Sequence, residues 1–122
     1  MISVKSEIYK SLKKVNKNVT DGYPNDWEDL PIVVYLEEEN RPYEITDDAE
    51  RSSEIKYIVH IWSIDSNTDL AIKVNEVFAK LGLKRVSSQD VADNERLRHK
   101  VMRFEGIIDI ETLMVYQRRY TD

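Results

Sequence analysis

A chain of 122 residues with 41% hydrophobic and 34% charged content is long enough for one continuous core and too short for two. It has no cysteine, which excludes disulfide staples, thiolate zinc sites and a cysteine nucleophile. Its formal charge of −5 at pH 7 opposes extended contact with nucleic-acid phosphates. Neither a signal-peptide core nor an apolar run long enough to span a membrane occurs, so no membrane partner is expected and the cytoplasm, or an assembly built there, is the expected location.

The first element reads as a helix. Val4, Ile8, Leu12 and Val15 form one apolar stripe, while Lys5, Lys10, Lys13, Lys14 and Lys17 fall on other faces. Asn16, Asn18 and the run Asp21-Gly22-Tyr23-Pro24-Asn25-Asp26 end it with turn-forming residues. Trp27 lies in this stretch and is expected to fold back onto the core. Pro31 opens the first strand, in which Ile32, Val34 and Leu36 face one way and Val33 and Tyr35 the other.

Residues Glu37–Glu54 then read EEENRPYEITDDAERSSE, with eight acids against two arginines, a net charge of −6. A connection this long is expected to be a mobile acidic loop between the first two strands, acting as a partner-binding arm. Tyr43 and Ile45, following Pro42, supply an apolar anchor, and Glu37, Glu38, Glu39, Asp47 and Asp48 the charged contacts. With no core periodicity running through it, replacing Asn40–Ser52 by a Gly-Ser linker is expected to leave the fold intact.

Ile55–Asp65 is the strongest strand, with Ile55, Tyr57, Val59 and Ile61 on one face and Ile58, Trp62 and Ile64 on the other. Tyr57 and Trp62 thus take opposite faces, one for the core and one for a neighbour. Ser66, Asn67, Thr68 and Asp69 supply capping side chains to a second helix with the stripe Leu70, Val74, Val77, Phe78, Leu81. Gly82 stops it, and Ile72 lies off the stripe. A short run, Leu83–Val86, precedes a polar loop, Ser87–Arg96. Arg98–Ile110 and Leu113–Arg119 then read as a closing antiparallel hairpin. The predicted fold is one α+β domain over 1–122: an antiparallel sheet of about four strands with two helices packed on one face.

Charge is segregated along the chain. Residues 1–18 carry +4, residues 19–54 carry −10 and residues 84–122 carry +1. Such a distribution suits head-to-tail contacts between copies of one chain. Arg118 and Arg119, beside Tyr120, form a basic end able to meet the acidic segment of an adjacent copy.

Little points to catalysis. His60 lies inside a predicted strand and His99 at the start of another, with no serine or carboxylate at a motif spacing, so both read as structural or surface residues. Gly22, Gly82 and Gly106 are too dispersed to cradle phosphate. No catalytic, cofactor-binding or metal-ligating residue is assigned. The enzymatic alternative is a small metal-dependent nuclease or other nucleic-acid-processing protein. In it, Glu54-Ile55-Lys56 supplies an E-x-K unit and Asp47 or Asp48 a further carboxylate for magnesium, a triplet common in any highly charged chain.

The assembled pattern resembles a known family. An amino-terminal helix, the strand Pro31-Ile32-Val33-Val34-Tyr35, the acidic insertion and the strand ending His60-Ile61-Trp62-Ser63 come first. The Asp69–Gly82 helix follows, and then the ending Lys100-Val101-Met102-Arg103-Phe104-Glu105-Gly106 with Val115-Tyr116-Gln117-Arg118. Over nearly its whole length the chain is similar to the tail completion, or tail-to-head joining, proteins of long-tailed bacteriophages and prophages. The resemblance implies an α+β structural protein that caps the head-proximal end of the tail tube, typically as a hexameric ring, and joins tail to head without catalysis. Its implied partners are further copies of itself, the tail tube protein and a head–tail connector protein, with no sequence-specific nucleic acid. Its implied location is the virion tail, and the host bacterial cytoplasm during assembly. The family has no invariant functional motif, so the interface residues named above rest on this chain alone: Glu37, Glu38, Glu39, Tyr43, Ile45, Asp47, Asp48, Trp62, Arg118 and Arg119.

Overall fold

A computed structural model describes residues 1–47 and 49–110. Its elements are α1 (Lys5–Val15), β1 (Asn18–Asp21), β2 (Ile32–Thr46), β3 (Ala49–Ser63), α2 (Thr68–Lys80), β4 (Lys84–Val91) and β5 (Arg98–Asp109). The sheet runs β1-β2-β3-β5-β4, with β1 parallel to β2 and the remaining pairs antiparallel. The α+β class is as expected, but the sheet is mixed and has five strands rather than about four antiparallel ones. Leu113–Arg119, expected as the last strand, lies outside the described residues; β5 pairs with β3 along one edge and β4 along the other.

One core lies on the helix-bearing side of the sheet. Val33, Tyr35, Tyr57, Val59, Ile61, Met102 and Phe104 meet Ile8 and Leu12 of α1 and Val74 and Phe78 of α2 in a single buried cluster. Alternation along each strand puts these residues on one face, and the helical stripes supply the other layer. The Phe78 and Phe104 rings are parallel, 4.2 Å apart, and Tyr57 tilts against Phe78 at 5.9 Å. Such pairs add about 1 kcal/mol each beyond the apolar area they bury. Ile72 is exposed, as its position off the stripe implies.

Gly82 ends α2 as expected, at φ +87°. Its N–H donates to the Ala79 carbonyl at 3.0 Å and that of Leu83 to Phe78 at 3.0 Å, so two of the last turn's carbonyls are satisfied. Gly106 of β5 has a different role. A Cβ there would lie 2.6 Å from the Gly82 carbonyl oxygen, so a hydrogen at this position lets the end of α2 close onto the sheet.

The acidic segment is not a loop. Glu37–Thr46 continue β2 and Ala49–Glu54 begin β3, paired from Ile32↔Trp62 to Thr46↔Ala49 with irregularities at Glu37/Glu39 and between Pro42 and Ile45. Cross-strand charge pairing replaces the missing apolar face: Arg41 Nη2 lies 2.7 Å from Glu54 Oε2, and Lys56 Nζ 3.3 Å from Glu39 Oε2. Pro42, which has no N–H, falls at an irregularity where a ladder bond is dispensable. Ser53 is fully buried, its Oγ accepting from the Ile2 N–H at 3.2 Å, and Asn40 Nδ2 donates to the Ile2 carbonyl at 2.8 Å. Replacing Asn40–Ser52 would therefore remove paired, anchored strand, contrary to the expectation of an intact fold.

Two further elements differ from expectation. Asn18–Asp21, within the turn-rich stretch, forms β1 beside β2, and Lys84–Val91, half of it expected as loop, forms the edge strand β4. β1 is only four residues long, and β4 has no fully buried position. Neither carries the apolar alternation by which strands are recognised.

Candidate functional site

The base of the β2–β3 hairpin belongs to the sheet, since β3 pairs with β5 as far as Ser52↔Asp109. Beyond that pair the ribbon continues for about three residues, roughly 10 Å, to a turn at Asp47, whose φ is 53°. Asp tolerates this left-handed conformation better than most residues. Tyr43 and Ile45 stand on this end of the hairpin, 60% and 63% exposed. These are two large apolar side chains left exposed among the described residues, close in sequence to Glu44 and Asp47.

The other expected contact residues are placed differently. Glu37 accepts a hydrogen bond from the Tyr57 hydroxyl at 3.0 Å, inside the sheet. Burial, and then the Glu37 charge, push the Tyr57 phenol far above its ordinary range. Glu38 faces Arg103 at 3.6 Å, and Glu39 is shared by Lys56 and Arg41. These three acids are engaged within the chain. Asp48, Arg118 and Arg119 lie outside the described residues.

Trp62 belongs to a second grouping on the sheet face opposite the helices. Register places Ile32, Trp62 and His99 side by side across three strands, and Val34, His60 and Val101 in the next row. The Trp62 ring lies parallel to His99 at 4.4 Å and to His60 at 5.2 Å, and Trp27 meets it edge-on at 5.1 Å. Trp27 is held there because Asn18 Nδ2 donates to the carbonyls of Asp26 and Asp29, at 3.1 and 2.8 Å. It folds back as expected, but onto this face, and stays half exposed.

The histidines form a relay. His60 Nδ1 lies 2.9 Å from His99 Nε2, and His99 Nδ1 lies 2.9 Å from Asp93 Oδ2. Asp93 is offered to His99 by the β4–β5 connection, where Asn94 Oδ1 accepts from the N–H groups of Arg96 and Leu97. A carboxylate only accepts, so the proton on His99 Nδ1 points at Asp93; neutral His99 then accepts from His60 Nδ1–H, leaving His60 Nε2 as an acceptor without a partner among the described residues. Burial, and then the neighbouring His99 and Arg103, hold the His60 pKa below its ordinary value. The arrangement can take up a proton, or accept a hydrogen bond, at His60 Nε2. Sequence spacing did not disclose it, because Asp93 and His60 are brought together only by the strand register. The available signal was Trp62 two residues after His60 on a strand apolar on both faces.

Of the residues expected for a nuclease site, Asp48 lies outside the described residues. Glu54 and Lys56 are engaged by Arg41 and Glu39, and Asp47 sits at the hairpin turn, about 20 Å along the strand from Glu54. Among the described residues no group of three or more His, Asp or Glu is placed to hold a metal ion, and no helix is long and apolar enough to cross a membrane. No protein-family model matches the chain, and no curated protein matches it.

Proposed function

We propose that this chain is a structural protein of a long-tailed phage or prophage, a tail completion protein that caps the head-proximal end of the tail tube. On this reading it acts without catalysis, as a ring of six copies, between the tube protein and a head–tail connector protein. The observation that supports it is the hairpin: a two-stranded arm, braced at its base by cross-strand ion pairs, that leaves Tyr43 and Ile45 exposed for a partner. A braced arm loses little conformational freedom on docking, so most of the apolar burial counts towards affinity. The arm's tip and the segment around Trp27 and Ile64 lie at opposite ends of the long strands. Contact between unlike ends generates rings when the rotation closes. Negative-stain microscopy of tail tubes incubated with the wild-type chain, and with a Tyr43→Ser/Ile45→Ser variant, tests the reading: the wild type caps one end of each tube and the variant does not.

A further inference from the structure

α1 turns a basic face outward. Lys10, Lys13, Lys14 and Lys17 are all exposed along the helix and just past its end, and Glu7 is the single acid of α1. The negative end of the helix dipole gives Lys13 and Lys14, in the last turn, a use within the chain. Lys13 Nζ also donates to the Lys17 carbonyl at 2.7 Å. Lys10 and Lys17 have no ion-pair partner among the described residues. α2, packed beside α1 in the core, carries Asp69 and Glu76 against Lys73 and Lys80, and so leaves this surface basic. Tyr9 stands 42% exposed on the same helix, its ring 6.0 Å from Lys13 Nζ.

The hairpin arm carries the opposite charge. From Tyr43 to Arg51 the sequence holds Glu44, Asp47, Asp48 and Glu50 against one arginine. Glu44 and Asp47 are exposed and in no ion pair among the described residues, beside the exposed Tyr43 and Ile45. These two surfaces lie at unlike ends of the molecule. Asn16 Nδ2 donates to the Pro31 carbonyl at 2.9 Å and Asn18 pairs with Ile32, so the last turn of α1 sits beside the start of β2. The arm's turn follows the other end of that strand, at Thr46, about 45 Å away. An arm paired into the sheet as far as Ser52↔Asp109 cannot fold back over that distance onto its own helix.

We propose that the acidic arm of one copy docks on the lysine face of α1 in the next, setting Glu44 and Asp47 against Lys10, Lys13 and Lys17, and Tyr43 and Ile45 against Tyr9 and the lysine stems. A second copy is the occupant because one chain supplies both halves of a complementary pair, in equal number and at unlike ends. The methylene stems of the lysines and the Tyr9 ring give the two apolar side chains of the arm an area to cover. This contact is the interface of the ring proposed above and rests on that reading.

An exchange of charges tests it. Lys10→Glu/Lys13→Glu/Lys17→Glu makes both surfaces acidic, and Glu44→Lys/Asp47→Lys makes both basic; all five positions are exposed. Sedimentation of the full chain at rising concentration and low salt reads association. Each variant alone should associate at least about tenfold more weakly than the wild type, and an equal mixture should recover the loss, since arm and helix then alternate in sign between copies. The chain has no cysteine, so Tyr43→Cys/Lys13→Cys provides a second reading that does not depend on reversed charges. On oxidation it should form a ladder of disulfide-linked copies beyond the dimer, about tenfold faster than the control pair Tyr43→Cys/Ser88→Cys. A wild type that stays monomeric at every concentration, a mixture no stronger than its components, or a ladder that stops at the dimer or forms no faster than the control overturns the proposal. Tail tubes keep the two readings apart. Capping by each charge variant alone, as good as the wild type's, removes the α1 contact and leaves the capping role; restored association in the mixture with tubes left bare keeps the contact and removes the role.

Discussion

His60 and His99 stand on neighbouring strands, two positions out of register, with Nδ1 of the first 2.9 Å from Nε2 of the second. That contact lets a neutral pair share one hydrogen bond, and opposes charging both rings. The surroundings of His60 act in both directions: burial, His99 and Arg103 lower its pKa, while Asp93 and Glu38 raise it, and the net direction is down.

The stability consequence has a definite sign. An unfolded histidine titrates near pH 6.5, and His60 in the fold titrates lower. Between those two values the unfolded chain binds more protons, so unfolding free energy falls as pH drops through the window and gains nothing from His60 above it. Thermal melts at about pH 7.5 and about pH 5.5 should show a larger loss for the wild type than for His60→Gln. Equal losses in the two proteins would remove His60 as the cause.

Tyr57→Phe removes the donor to the half-buried Glu37 carboxylate and leaves the ring packing in place. The expected loss is about 1–2 kcal/mol, read by chemical denaturation. A double-mutant cycle with Glu37→Gln should return a coupling energy of at least about 0.5 kcal/mol; an additive result would mean that the hydrogen bond contributes nothing.

Gly106→Ala should destabilise by about 1–3 kcal/mol, because the new Cβ meets the Gly82 carbonyl and the Leu83 side chain. Neither is the free end of a flexible polar chain, so the strand or the end of α2 must shift. A melting temperature equal to the wild type's would show that the α2–β5 approach relaxes without cost.

These positions also show where the sequence is informative. The stripes Ile8/Leu12 and Val74/Val77/Phe78, the alternation of Ile55 through Ile61 and the stop at Gly82 were all legible, because each buries a face with its own period. The hairpin arm was not. Glu37–Glu54 carry charges on residues that pair with one another across the strands, and the segment's buried positions, Ser52 and Ser53, are polar, so no apolar alternation marks it. The acids Glu37, Glu38 and Glu39, read as contacts for a partner, are engaged by Tyr57, Arg103, Lys56 and Arg41 instead. The Asp93–His99–His60 relay stayed hidden for a related reason: its geometry belongs to the register between β3 and β5, which no local pattern encodes.

The most direct measurement is the capping of tail tubes. Tyr43 and Ile45 are largely exposed, so serine at both positions should change folding stability by no more than about 0.5 kcal/mol per site. With purified tubes, the wild-type chain is predicted to form a ring of six on one end, and the folded Tyr43→Ser/Ile45→Ser variant to leave the tubes open. Tubes left bare by the wild type would contradict the assignment as a tail completion protein; tubes capped equally well by the variant would contradict the role of the arm.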